Sequence, residues 1–254
     1  MPIRKKSGII VQARIGSTRL PGKMVLPIEN KPALRHTIER LKETSIQKII
    51  IATSVNAEDD AIADIANSEK ILLYRGSQEN VLDRYCQASI IFDIDQIIRI
   101  CGDGVMMDPG IVDEIYRFYC ESDFDYVSNN KPPSFPTGYE VEVFSSSALK
   151  EAWKNADKPQ HLEHVTPYIW MNENKFKIGN YMFKEDVSRF QCALNNESDY
   201  KFIKAVFSEL YSLNSFFTLY DVIGLLKRKP QIAEINQNSV EEFEQMMAEI
   251  KGGK

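Results

Sequence analysis

Through residue 103 the chain keeps one rhythm: short, unbroken apolar runs alternate with longer amphipathic stretches. The runs are "SGIIVQA", "QKIIIATS", "KILLYRG" and "DQIIRICGD". Each is rich in isoleucine and other strand formers, and none alternates with polar residues. Such runs suit strands covered on both faces, as in a parallel sheet. Between them, "KPALRHTIERLKET", "EDDAIADIANS" and "ENVLDRYCQASIIF" carry apolar residues at helical spacing. A βαβαβαβ order predicts an α/β fold, a three-layer, doubly wound, mostly parallel sheet.

After Asp103 the rhythm loosens. "PGIVDEIYRFYCES" reads as a helix with Pro109 in its first turn and Asp108 as its cap. "FDYVS", the alternating and half-exposed "YEVEVF", "KFKIGNYMF" and "RFQCAL" read as strands. "NNKPPSFPTG" reads as a long proline-rich loop, and its "SFPTG" part as either a closing lid or a passive surface loop. "SSALKEAWKNA" and "ESDYKFIKAVFSELY" read as helices, and "HLEHVTPYIW" as a short helix broken near Pro167. "LYDVIGLLKR" and "SVEEFEQMMAEI" read as two further helices, and the terminal "KGGK" as frayed. Residues 1–254 are expected to form a single domain, with 208–254 a helical C-terminal extension.

Net charge of −5 argues against a nucleic-acid or anionic-membrane binder. No apolar run approaches the roughly 18 residues of a membrane span, and the one after the basic start is too short for a signal-peptide core. Cys86, Cys101, Cys120 and Cys192 are irregularly spaced, without a CxxC pair. They read as reduced, mostly buried thiols of a cytoplasmic protein. Of the three histidines, His36 reads as structural or exposed, and no pair has metal-ligand spacing.

In an open α/β sheet, ligands bind beyond the carboxyl ends of the strands. Three polar segments fall there. "QARIGSTRLPGK" follows the first strand and holds Arg14, Arg19 and Lys23 among Gly16, Ser17, Thr18 and Gly22. Exposed backbone N–H groups in such a loop can cradle phosphate oxygens, and arginine grips phosphate with a planar fork. The loop is neither a Walker A motif nor GxGxxG. It reads as a polyphosphate site or as a solvated basic turn. "RGSQEN" follows the third strand. "CGDG" follows the fourth and places Asp103 where a carboxylate can hold Mg²⁺.

Taken together, these segments resemble the sugar-acid cytidylyltransferases, in the SpsF-like branch of the acylneuraminate and Kdo cytidylyltransferase family. "QARIGSTRLPGK" is similar to the family's A-R-x-G-S-x-R-x-x-x-K. "YRGSQENVLDRY" is similar to R-G-S-x-x-x-V-L-x-R-Y, and "RICGDGVMMDP" to R-x-x-G-D-x-P-x-x-D-P. "GYEVEVFSSSALKEAW" and "EHVTPYIW" match later blocks, and the likeness spans about residues 7–207.

The resemblance implies a GT-A-like nucleotidyltransferase fold, a homodimer, and transfer of CMP from CTP to a sugar acid with release of pyrophosphate. Arg14, Gly16, Ser17, Arg19 and Lys23 would hold the triphosphate. Arg75, Gly76, Ser77 and Arg84 would lie near the nucleotide, and Asp103 would take Mg²⁺. Glu140, Glu142, Glu163 and His164 would face the acceptor or the dimer partner.

Three positions depart from the pattern. Val105 replaces a proline, beside a loose Gly104. Asn195 stands where the late V-D-T-x-x-D motif supplies a second metal-binding carboxylate, with Glu197 or Asp199 as candidates to compensate. Leu162 replaces an arginine. Three readings follow: an active Mg²⁺-dependent cytidylyltransferase, a GT-A-type glycosyltransferase using a nucleotide-sugar, or an impaired enzyme that binds or senses nucleotide. CTP is favoured over other nucleotides on the resemblance, and the acceptor stays unnamed.

Overall fold

The computed structural model describes residues 6–237. The helical stretch read over 239–250 and the terminal "KGGK" lie outside the described residues.

The four apolar runs become the parallel half of a seven-stranded sheet. They are β1 (Ser7–Gln12), β4 (Ile49–Ser54), β5 (Leu72–Gly76) and β6 (Gln96–Cys101). Between β1 and β4 lie β2 (Pro27–Ile28) and β3 (Lys31–Pro32), a small antiparallel pair that the sequence reading did not foresee. The sheet continues through β7 (Tyr126–Ser128), β8 (Glu142–Ser145) and β9 (Ile178–Asn180), in the order β5-β4-β1-β6-β8-β7-β9. β8 runs antiparallel to both β6 and β7, and β9 runs parallel to β7.

Period-2 side-chain alternation builds the three layers. Ile9, Val11, Ile49, Ile51, Ile98 and Ile100 point into one apolar cluster. Ile10, Ile50, Ala52 and Ile97, their immediate neighbours in sequence, point into a second. α1 (Ala33–Leu41), α2 (Asp60–Ser68), α4 (Pro109–Glu121), α8 (Glu197–Leu210) and α9 (Leu219–Arg228) cover the first face. α3 (Val81–Ile91), α5 (Ser146–Asn155), α6 (Pro159–His164) and α7 (Pro167–Trp170) cover the second. α10 (Pro230–Ala233) and a 3-10 turn, Glu234–Asn236, close the described chain.

Several local expectations change. "YEVEVF" is not half exposed: β8 lies between β6 and β7, and Glu142, Val143 and Phe144 are buried. Its polar alternation persists because Glu142 sits in register with Arg99 on β6 and pairs with it. "RFQCAL" forms no strand beyond a single bridge between Gln191 and Thr137. "KFKIGNYMF" contributes only β9. "SFPTG" is neither a lid nor a surface loop, because Ser134, Phe135 and Thr137 are buried. Gly104 is not loose: a side chain there would meet the Gly138 carbonyl at 2.6 Å.

Candidate active site

A cavity of about 550 Å³ opens beyond the carboxyl ends of β1 and β6, bordered on one side by α6 and α7. The basic loop reaches it because Asp59, itself buried, accepts from the Ile15 amide at 2.6 Å and from the Ser54 hydroxyl. That carboxylate pins the loop to the end of β4. Gly22 then turns the chain at φ 71°, a conformation glycine adopts without a Cβ penalty. The next residue, Lys23, opens a 3-10 turn and points its side chain inward.

Lys23 forms the centre of the site. Its Nζ donates to Asp103 Oδ2 at 2.7 Å and to Asn195 Oδ1 at 3.2 Å. Asp103 leaves the end of β6, and its carbonyl accepts from the Leu194 amide at 3.0 Å. The two oxygens expected to ligate a metal thus converge on one cation, the ammonium of the phosphate loop. Asp199 is buried and accepts from the Asn195 and Asn196 amides as part of the α8 capping box. Glu197 is exposed. Neither lines the cavity, so neither compensates for Asn195. Among the described residues, no three His, Cys, Asp or Glu side chains are grouped to hold a metal ion.

Arg14, Ser17, Arg19 and Arg84 line the cavity with Lys23. Arg14 donates to Glu163 on α6 at 3.3 Å, bridging the loop to the opposite wall. Arg84 is 1% exposed, donates to the Ser77 carbonyl at 2.9 Å, and leaves Nε without a partner. Gly16, Arg75, Gly76 and Ser77 lie outside the lining. β5 is the edge strand, two strands from β1, so its turn falls short of the cavity. Arg75 is engaged instead with Asp60 and the Ser54 and Asn56 carbonyls.

The far wall holds Glu140, Glu142, Glu163 and His164. Burial would raise the Glu142 carboxyl. Arg99, Lys131 and hydrogen bonds from Tyr126 and Thr166 outweigh burial and hold it at about 2. Glu142 is therefore an anchor for Arg99, whose Nη2 also donates to Gln12 at 3.0 Å. Burial raises the Glu140 carboxyl to about 7, against the pull of the backbone amides of Glu140 and Gly138. His164 is lowered, first by burial.

Leu162 packs against the second apolar cluster and does not line the cavity. Cys101 lines the cavity, and burial raises its thiol to about 12, which keeps it protonated and weakly nucleophilic. His36 is buried, bonded to the Ile28 carbonyl at 2.8 Å.

The sequence reading missed Gln12, Arg99, Lys131 and Trp170, all in the lining. For Arg99 a signal existed: one charge inside "IIRIC" demands a buried partner. Lys131, 5.0 Å from the Trp170 ring centre, had none, because only the fold brings these two together.

A basic loop, a lysine between two oxygens and an acidic far wall suit binding and positioning of a polyanion beside a second, polar ligand. The family model for cytidylyltransferases matches residues 8–249, continuing past the span of motif likeness. An uncharacterized protein of Methanocaldococcus jannaschii is 34% identical over 90% of this chain and 93% of its own length. Spore coat polysaccharide biosynthesis protein SpsF of Bacillus subtilis is 29% identical over 88% and 95% respectively. The solved structure of a cytidylyltransferase from Leptospira borgpetersenii superposes with a TM-score of 0.87 at 31% identity, covering 91% of this chain and 97% of that one. With a matching family model over nearly its whole length and the nucleotidyltransferase-like α/β sheet, this chain belongs to the cytidylyltransferase family, in its SpsF-like branch.

Proposed function

We propose that the protein transfers CMP from CTP to a sugar acid or related acceptor and releases pyrophosphate. The observation that carries this reading is the convergence of the basic loop, through Lys23, on Asp103 and Asn195 at the carboxyl ends of β1 and β6. An acceptor oxygen attacks the α-phosphorus in line. The bond from that phosphorus to the bridging oxygen breaks, pyrophosphate leaves, and the acceptor's proton passes to solvent. Arg14, Ser17, Arg19 and Lys23 hold the triphosphate and offset its charge, and Arg84 adds a buried cation beside it. Glu140, Glu163 and His164 face the acceptor, with Glu142 holding Arg99 in place. Positioning and charge neutralisation make up the protein's contribution, with no covalent intermediate.

Mg²⁺ fits this donor set in part. Asp103 and Asn195 already present oxygens to one cation, and Mg²⁺ is commonly held by one or two carboxylates plus phosphates and water. Bound there, it would take oxygens that Lys23 now holds, leave that ammonium to the phosphates, and neutralise triphosphate charge. With a single carboxylate its affinity should be lower than at a two-aspartate site.

The setting proposed with this activity is cytoplasmic synthesis of an activated sugar for surface polysaccharide, by a homodimer. It rests on likeness to SpsF and on the family. Among the described residues, no helix is long and apolar enough to cross a membrane.

Calorimetric titration with CTP, GTP, UTP and ATP, each with and without Mg²⁺, tests the reading. Selective CTP binding strengthened by Mg²⁺ supports it. Preference for another triphosphate moves the donor. CTP binding indifferent to Mg²⁺ favours an impaired or sensing protein, a reading that the Asn195 amide itself motivates. Absence of any triphosphate binding removes the proposal.

A further inference from the structure

The C-terminal segment reaches the site through a chain of buried hydrogen bonds. Asn236, on the 3-10 turn Glu234–Asn236, is 3% exposed. Its Nδ2 donates to Asp199 Oδ1 at 2.8 Å and to the Gln191 carbonyl at 2.9 Å. The other carboxylate oxygen of Asp199 accepts from the Asn195 and Asn196 amides, both at 3.1 Å. Asn195 then accepts from Lys23 Nζ at 3.2 Å. Asp199 is 0% exposed and Asn195 9%, so water does not readily replace these partners.

The same segment braces the other side of the Lys23 clamp. Asp108, a few residues past Asp103, caps α4 with one oxygen and accepts from the Leu219 amide at 2.9 Å with the other. Arg40 ties the Met107 carbonyl to those of Ser215 and Phe217. Both oxygens that hold Lys23 therefore sit on loops whose orientation is tied to residues beyond 207.

We propose that Asn236 is a positioning residue for the nucleotide site: it fixes the Asp199 carboxylate, which fixes the Asn195 backbone and with it the oxygen that aims Lys23. A buried carboxylate that loses one donor turns toward others, and the backbone amides it holds move with it. The inference deepens the nucleotide reading of the site and rests on it. It assigns the C-terminal segment a part in ligand binding, beyond covering the core.

CTP is the probe. Its dissociation constant is measured by calorimetry for the full-length wild type, Asn236→Ala, Asn195→Ala and the double variant, with a thermal melt of each. The expected result is CTP binding weakened about threefold to tenfold in Asn236→Ala, with a double variant no weaker than Asn195→Ala alone, since the effect passes through Asn195. Unchanged CTP affinity in a folded Asn236→Ala overturns the inference, even if the melting temperature falls, because that is the signature of a residue that only docks the tail. Full multiplication of the two single effects overturns it as well. Should Asn236→Ala not fold, Asn236→Leu, which keeps the side-chain volume but carries no donor, takes its place. If that also fails to fold, Asn236 serves folding and the inference falls. A wild type that binds no CTP overturns the nucleotide reading itself, and the inference with it.

Discussion

The decisive side chains in this protein act in buried or half-buried groups, so single substitutions should have large and separable effects. Lys23 carries the link between the phosphate loop and the two oxygens opposite. Lys23→Ala should weaken CTP binding by about 1.5–3 kcal/mol, the range for hydrogen bonds to charged groups. Calorimetry reads this directly, and an unchanged affinity would detach the loop from the ligand. The Arg99–Glu142 pair makes a different demand. Glu142 titrates near 2 in the folded protein, against 4.5 for an ordinary glutamate. The native state therefore binds fewer protons than the unfolded one. The pair's contribution is complete above about pH 4.5 and is lost as pH falls toward 2. Arg99→Met should cost about 2–4 kcal/mol at neutral pH, since it takes the nearest cation from a buried carboxylate and leaves it only Lys131, Tyr126 and Thr166. It should also flatten the acid side of the stability curve. Urea unfolding from pH 2 to 7 tests both; a neutral-pH loss below about 1 kcal/mol would mean the pair contributes little. Arg99 was legible in the sequence as a charge inside an apolar run. Its partner was not, because Glu142 alternates with valines as an exposed residue would.

At the scale of the element, legibility followed how local the determinants are. α9 begins and ends where its capping residues, Thr218 and Asp221, and its terminal basic residues place it. α8 likewise starts at its Asn196–Asp199 capping box. The break in "HLEHVTPYIW" falls near Pro167 as read, between α6, which ends at His164, and α7, which opens at Pro167. The unforeseen part is its form: the chain reverses at Val165, where φ is 71° and ψ −55°, and the Thr166 amide donates back to the His164 carbonyl at 2.8 Å. This is a γ-turn of the rare, strained hand, with a β-branched residue at its centre. Val165 is fully buried in the second apolar cluster, and Thr166 is held by Glu142 at 2.7 Å. Packing on one side and a hydrogen bond on the other keep the turn in place, and they set the direction of Glu163 and His164 into the cavity. Nothing local in the sequence announces it. Val165→Ala and Val165→Gly lose nearly the same packing and differ mainly in backbone freedom. Glycine should therefore be the more stable of the two, by about 1 kcal/mol, reversing its usual deficit against alanine. Thermal or urea unfolding of the two variants side by side decides it. Alanine as the more stable would show that the turn stores no strain.

For the whole molecule, the parallel half of the sheet was readable because its pattern repeats every few residues. The rest depends on contacts made across the chain. Lys23 meets Asn195 over 172 positions, and Arg40 meets Phe217 over 177. No spacing rule encodes pairs like these. The same long-range ties determine how the protein should melt. Both apolar clusters hang on the same strands: Ile9 and Val11 enter one, while Ile10 between them enters the other. Neither cluster can dissolve while the other keeps an intact sheet. A single cooperative transition is expected, even in a chain of 254 residues. CTP bound only by the native state should move that transition as a whole. At a hundredfold excess over its dissociation constant, it adds about 2.7 kcal/mol. For a protein of this size, that corresponds to a rise of roughly 5–10 °C in Tm. At the same CTP concentration, Lys23→Ala should show a smaller rise. Differential scanning calorimetry with and without CTP gives the answer. Two resolved transitions, with only one of them responding to CTP, would mean that the site belongs to a separately folding part and that the two faces of the sheet are not one cooperative unit.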